Sequence, residues 1–147
     1  MSVIKESIVI DAPKSKVFDF VVNPQNWTRY VTGLVEVNNL SPGSPKKGST
    51  CTWKYRMMGM NFSGKGTVTE YEKDKDFGWL MEGMIPIKEK FGFSDKGDGK
   101  MEFTFQIEYE VPGAILGEVA DKLLIEKLNT LEVKNVLQKI KTICEGK

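Results

Sequence analysis

Between Gly33 and Tyr109 the apolar residues recur with a period of two, and this constrains the fold more than any other feature of the chain. Successive side chains point to opposite faces of a strand, so alternation marks a strand with one face toward a core. Residues 100–110 show it best: Met101, Phe103, Phe105, Ile107 and Tyr109 oppose Glu102, Thr104, Gln106, Glu108 and Glu110. Cys51, Trp53, Tyr55 and Met57 oppose Thr50, Thr52, Lys54 and Arg56. Phe62, Gly64, Gly66 and Val68 form another such set, as do Phe91 and Phe93. Phe77, Trp79 and Met81 fit too, although Leu80 blurs the parity of that strand. The pattern predicts strands over 34–40, 50–58, 61–72, 77–83, 87–93 and 100–110, separated by the turn-forming stretches SPGSPKKG, MGM, EKDKDFG, GMIPI and SDKGDGK. With no helix between them, these six strands form an antiparallel meander.

The flanks complete the outline. Residues 3–10 alternate as a further strand, broken by Asp11-Ala12-Pro13. Pro13 suits a first helical turn, and KSKVFDFVV carries Val17, Phe18 and Val21 at helical spacing. Asn23-Pro24 stops that helix, and 24–31 form a second short one that presents Trp27 and Tyr30 together. After Val111-Pro112-Gly113 nothing breaks a helix of about thirty residues before Gly146. Leu116, Val119, Ala120, Leu123, Leu124 and Leu131 make one stripe on it, while Val133, Leu137, Ile140 and Cys144 lie roughly a quarter turn away. The first half is expected to act as a lid over the sheet and the second to dock on the sheet and the short helices. Lys127 falls on the lid stripe, where it either snorkels to water or meets a ligand. The result is one α+β domain over residues 1–147.

Composition removes several functions. Twenty-one Lys and Arg against 20 Asp and Glu give a net charge of +1, without the concentrated basic face that nucleic-acid binding needs. No apolar run is long enough to span a membrane. MSVIKESIVI alternates where a signal peptide would be continuously apolar, so the cytoplasm is expected. The chain has no histidine, which excludes Ser–His and Cys–His nucleophiles and histidine bases, and leaves no expectation of a metal or cofactor. Cys51 and Cys144 sit far apart beside apolar neighbours and read as buried thiols.

The inward sets outline an apolar cavity between sheet and helix. Its expected ligand-binding walls are Trp53, Tyr55, Phe62, Phe91, Phe103, Phe105 and Tyr109, with Leu116 and Leu123 from the helix and Trp27 and Tyr30 closing one side. Gly64 and Gly66 fall on the inward set, where glycine packs nothing; they permit a bend, or they leave room for a ligand or the helix. Successive turns of a meander lie at opposite ends, so the charged turns share one rim. Met58, Met60, Met84, Ile85 and Ile115 share the other, an expected entrance that meets a membrane or donor protein transiently, or else a plug. Tyr55, Tyr109 and Glu6 are inward by parity but too scattered for a catalytic constellation, so no catalytic residue is assigned.

Three stretches resemble the START-like (SRPBCC) superfamily in order: IVIDAPKSKVFDFVVNPQNW at the start, GKGTVTEYEKDKDFGW in the middle and VPGAILGEVADKLLIEKLNTLEVKNVLQKIK at the end. The last is similar to the C-terminal helix of polyketide cyclase/dehydrase and lipid-transport members. The resemblance implies a helix-grip fold: a curved seven-stranded antiparallel sheet, two short helices and a long C-terminal helix over an apolar cavity. The expected function is to bind, and beyond that to carry, a hydrophobic small molecule such as a lipid, quinone or polyketide-like compound, and the expected state is a monomer. The alternatives are a cyclase or dehydratase working without metal or histidine, and a co-chaperone-like interaction module.

Overall fold

The computed structural model describes residues 2–57, 59–83, 85–110 and 122–146. β1 (Ser2–Ile10) opens the chain, followed by α1 (Lys14–Val22) and α2 (Pro24–Tyr30). The meander then runs through β2 (Leu34–Asn38), β3 (Thr50–Met57), β4 (Met60–Glu72), β5 (Asp76–Glu82), β6 (Ile87–Gly97) and β7 (Lys100–Tyr109). The described part of the long helix, α3, is Lys122–Glu145. The sheet order is β1-β7-β6-β5-β4-β3-β2, with every pair antiparallel. This is the helix-grip architecture expected from the sequence. No helix among the described residues is long and apolar enough to cross a membrane.

Local chemistry sets the boundaries. Pro13 caps α1 rather than entering it. Asn23 accepts a hydrogen bond from the Gln25 amide at 3.1 Å, and Pro24 follows as the first helical residue of α2. β6 reaches Gly97, beyond the expected end at Phe93, because the β6–β7 hairpin needs only a tight turn: Asp98 and Gly99 both adopt positive φ, 56° and 75°.

Alternation holds where it was expected. Met101, Phe103, Phe105, Ile107 and Tyr109 are all buried on one face of β7. Phe77, Trp79 and Met81 are buried on β5, with Leu80 only half-buried. A bulge at Thr69, between Val68 and Glu70, restores the inward parity of β4 at Tyr71, which pairs with Phe77.

The second half of α3 docks as its stripe requires. Val133, Val136, Leu137, Ile140 and Cys144 are buried. Lys141 Nζ donates to the Val9 carbonyl, and Glu145 accepts from the Asp11 amide at 2.8 Å, so the helix end is tied to β1. The expected lid stripe is corrected: Leu123, Leu124 and Leu131 are 70%, 50% and 55% exposed. One straight helix has one rotation, which the docked half fixes. At about 100° per residue this carries Leu124 and Leu131 to the far side and Leu123 to one flank, while Ile125 and Glu132 on the other flank are partly buried. Lys127 is exposed, in keeping with its reaching water.

Candidate functional site

The concave face of the sheet has two ends, and they are built differently. At the end nearest α1 and α2 the side chains fill the space against one another. Phe91 stacks on Phe105 with centroids 4.4 Å apart and rings 6° from parallel, and it also stacks on Phe103 and Phe77. Phe18 meets Phe93 edge-on at 5.1 Å. Trp27 lies 4.9 Å from Trp79, and both the Trp27 Nε1 and the Tyr30 hydroxyl donate to the Val21 carbonyl, 3.0 and 2.9 Å away. A void of only about 10 Å³ remains beside Trp27, Trp79, Cys51 and Gly66, the volume of a single water.

Toward the rim where β3 turns into β4 and β5 into β6, the packing loosens and polar groups enter. Tyr55, Phe62, Ile85, Ile87 and Ile125 are half-buried against the core. Glu89 lies where the two ends meet. It is flanked on β6 by Ile87 and Phe91 and paired across the strands with Trp79 and Ile107, and it is only 7% exposed. The Trp79 indole N–H donates to its Oε2. Burial pushes the Glu89 carboxyl up to about 7; the Trp79 bond works against the shift and the charge of Glu132 adds to it.

Glu132, from α3, accepts from the Thr32 amide at 3.3 Å and is itself raised, first by burial, against the lowering influence of Thr32 and Lys139. Burial and then the charges of Glu132 and Glu89 push the Tyr55 phenol up to about 12. Burial and then Glu89 hold Tyr30 well above the usual phenol range. Trp53 Nε1 and the Tyr109 hydroxyl are buried and have no hydrogen-bond partner among the described residues.

Gly64 and Gly66 make room, and the protein's own indoles fill it. A Cβ on Gly64 would stand 1.9 Å from the Glu82 carbonyl oxygen and 2.5 Å from the Trp53 ring. One on Gly66 would stand 2.9 Å from the Trp79 ring and from Cys51 Sγ. The glycines thus let two large rings lie flat along the sheet. The opposite face carries an open trough of about 570 Å³ whose walls include Lys5, Lys90, Glu70 and Asp76, charges of both signs that suit water rather than an apolar guest.

The residues expected to line a site divide between these ends. Trp27, Tyr30, Phe91, Phe103 and Phe105 stand in the filled end, each at most 2% exposed. Trp53, Tyr55, Phe62, Tyr109 and Ile85 stand toward the looser end, spread across the sheet from β3 to β7. Leu123 and Met60 are exposed, at 70% and 58%. Met58, Met84, Ile115 and Leu116 lie outside the described residues. Glu6 and Tyr55 are on strands separated by four others in the sheet order, whereas Tyr109 is on β7 beside Glu6's own strand, four residues along from Phe105, the partner of Glu6; the structure therefore does not unite Glu6 with Tyr55.

Glu89, Glu132 and Trp79 were not foreseen as site residues. For Glu89 the signal was present: it shares the parity of Phe91 and Phe93, so the alternation that placed those rings inside places a carboxylate beside them.

Comparison with known proteins agrees with this architecture. The profile of the family described as polyketide cyclase / dehydrase and lipid transport matches residues 1–145. The fold is similar to that of TTHA0849 from Thermus thermophilus, with a TM-score of 0.79 at 15% identity, covering 96% of this chain and 95% of that one. A conserved protein from Geobacillus kaustophilus gives 0.78 at 11% identity, with 95% and 93% covered. The Zhui aromatase/cyclase from Streptomyces sp. R1128 gives 0.76 at 9% identity, with 98% and 93% covered. No curated protein matches the sequence. With the family profile spanning all but the last two residues and the helix-grip fold in place, the chain belongs to the polyketide cyclase / dehydrase and lipid transport family.

Proposed function

We propose that this protein binds a hydrophobic small molecule at the loose end of its concave face, between the sheet and the long helix, and carries it. One observation supports this above the others. Half-buried apolar side chains there surround a few buried polar groups without protein partners among the described residues, Trp53 Nε1 and the Tyr109 hydroxyl. A ligand pocket has this composition, mostly apolar with a small number of placed polar atoms. An ordinary core pairs such atoms, because an unpaired buried donor costs about 1–3 kcal/mol.

The family description, which names lipid transport, fits the same reading. With it go the expectations of a single domain and a cytoplasmic monomer that needs neither metal nor cofactor. The methionine and isoleucine rim, including Met58, Met60, Met84, Ile85 and Ile115, is proposed as the entrance. Mass spectrometry of the natively purified protein, before and after denaturing extraction, tests the binding. An apolar compound released only on unfolding is expected. A ligand-free protein that also fails to bind an anilinonaphthalene dye would overturn it.

A further inference from the structure

α3 is bonded to the rest of the chain at two places that hold it differently. Near its C-terminus Lys141 Nζ donates to the Val9 carbonyl and Glu145 accepts from the Asp11 amide, both at 2.8 Å. At about 1.5 Å per residue Glu132 lies about 20 Å back along the helix from Glu145. There the helix takes hold of the corner between α2 and β2: Glu132 accepts from the Thr32 amide at 3.3 Å, and Lys139 Nζ donates to the Thr32 hydroxyl at 3.0 Å. The corner is wedged in turn against the loose end of the sheet. The Gly33 carbonyl accepts from the Arg56 amide at 2.8 Å, next to the last residue of β3, and a Cβ on Gly33 would stand 2.4 Å from the Tyr55 ring. α3, the corner and the Tyr55 wall therefore meet at Thr32.

The burial of α3 changes at the same place. Val133, Val136, Leu137, Ile140 and Cys144 are buried, whereas none of residues 123–132 is. A helical segment this short has little stability of its own in water, so its docking decides how long it stays in place. Ile125 is half-buried against the core, and the clasp on Thr32 is where firm docking begins. Both bonds of the clasp are exposed to water, which makes them weak and readily reversible.

We propose that α3 is divided at Glu132 into a fixed half and a releasable one, and that the Thr32 clasp sets how often residues 123–131 lift from the loose end. Resting on the binding function above, this release is the step that admits and frees the ligand beside Tyr55. Opening precedes both entry and exit, so loosening the clasp speeds both. Affinity hardly changes while the opened form stays a small fraction.

Amide hydrogen exchange, read residue by residue by NMR, tests the division without any ligand. Amides of 127–131 are expected to exchange at least about tenfold faster than those of 136–144, with a step at Glu132. Thr32→Val and Lys139→Met each remove the same bond. Each should speed exchange of 127–131 by about two- to fivefold and leave 136–144 unchanged, and the double variant should add nothing further. Glu132→Gln, which still accepts from the Thr32 amide, should exchange like the wild type. One common rate along α3, or variants indistinguishable from the wild type, would overturn the division. Stopped-flow mixing with 8-anilinonaphthalene-1-sulfonate tests the role in binding: association and dissociation should both quicken about two- to fivefold in Thr32→Val at nearly constant affinity. Unchanged rates would overturn the role of the clasp and leave the binding function standing. A protein that binds no dye would overturn the binding function and the route with it, while the exchange step still decides whether α3 is divided.

Discussion

The two ends of the concave face are made from the same strands, yet one is finished and the other is not. Along β6 the inward residues run Phe93, Phe91, Glu89, Ile87; the two rings and Glu89 are buried and Ile87 is only half-buried. At the Phe93 end, α1, α2 and the docked half of α3 supply Phe18, Trp27, Val136 and Ile140, which leave almost no space and no unsatisfied indole. At the Ile87 end the sheet offers Trp53, Tyr55 and Tyr109, and the polar atoms outnumber their partners among the described residues. Aromatic residues alone therefore do not define a ligand site in this fold. What separates core from site is whether each ring's polar tip has been answered from within the chain.

The largest expected effect falls in the finished end. Phe105 is 2% exposed and stacked on Phe91, so Phe105→Ala should cost about 3–5 kcal/mol in denaturant unfolding, the usual range for a buried ring. Ligand affinity should move little. A loss under about 1 kcal/mol together with weakened binding would shift the boundary and make Phe105 part of the site.

That boundary is where sequence reasoning lost resolution. Alternation told which face of each strand is inward, and it held for every inward residue of β7 and for Cys51, Trp53 and Val68. It could not tell how far along that face α1 and α2 reach, because both ends read as aromatic. Asp98-Gly99 carried the tightest hairpin but stood inside the polar run SDKGDGK, so β6 looked shorter than it is. On α3 the two stripes were visible, yet only tertiary packing chose between them, and it chose Val133, Leu137, Ile140 and Cys144. Glu89 passed unseen because a single acid in an alternating strand reads as a solvent-facing residue. Glu132 had no signal, since helical spacing alone does not say that it faces Thr32.

A second test acts at the junction of the two ends and depends on pH. Glu89 titrates near 4.5 when unfolded and is pushed up to about 7 in the folded protein, so between those values the folded state holds a proton that the unfolded state releases. Stability contributed by Glu89 is complete below about 4.5 and falls as pH rises to 7, by roughly 3 kcal/mol at most, given about 1.4 kcal/mol for each tenfold change in proton affinity. Glu132, also raised, changes stability in the same direction. Glu36 and Glu145 are lowered, so their contributions are lost only as pH falls on the acid side. Urea unfolding at about pH 5 and pH 7.5 should show the wild type weakening over this interval and Glu89→Gln much less so. An identical pH dependence in the two proteins would mean that Glu89 is solvated, and the loose end would then extend deeper than Trp79.

The smallest effect sharpens the comparison most, because the two kinds of end predict different signs. In a finished core a tyrosine hydroxyl has a partner, and its removal costs about 0.5–1.5 kcal/mol for the lost hydrogen bond. The Tyr109 hydroxyl is buried without a partner among the described residues, so folding strips it of water and returns nothing. Tyr109→Phe keeps the ring, which is 3% exposed on the inward face of β7, and removes only that oxygen. Stability in the absence of ligand should therefore stay unchanged or rise by up to about 1 kcal/mol, read from the urea midpoint at constant slope. A loss beyond about 1 kcal/mol would show that the hydroxyl is bonded within the folded chain and that the rim is closed over it. The substitution thus reports on the protein's own packing before any ligand is known. It separates a site held open at some cost in stability from a core that merely looks unfinished.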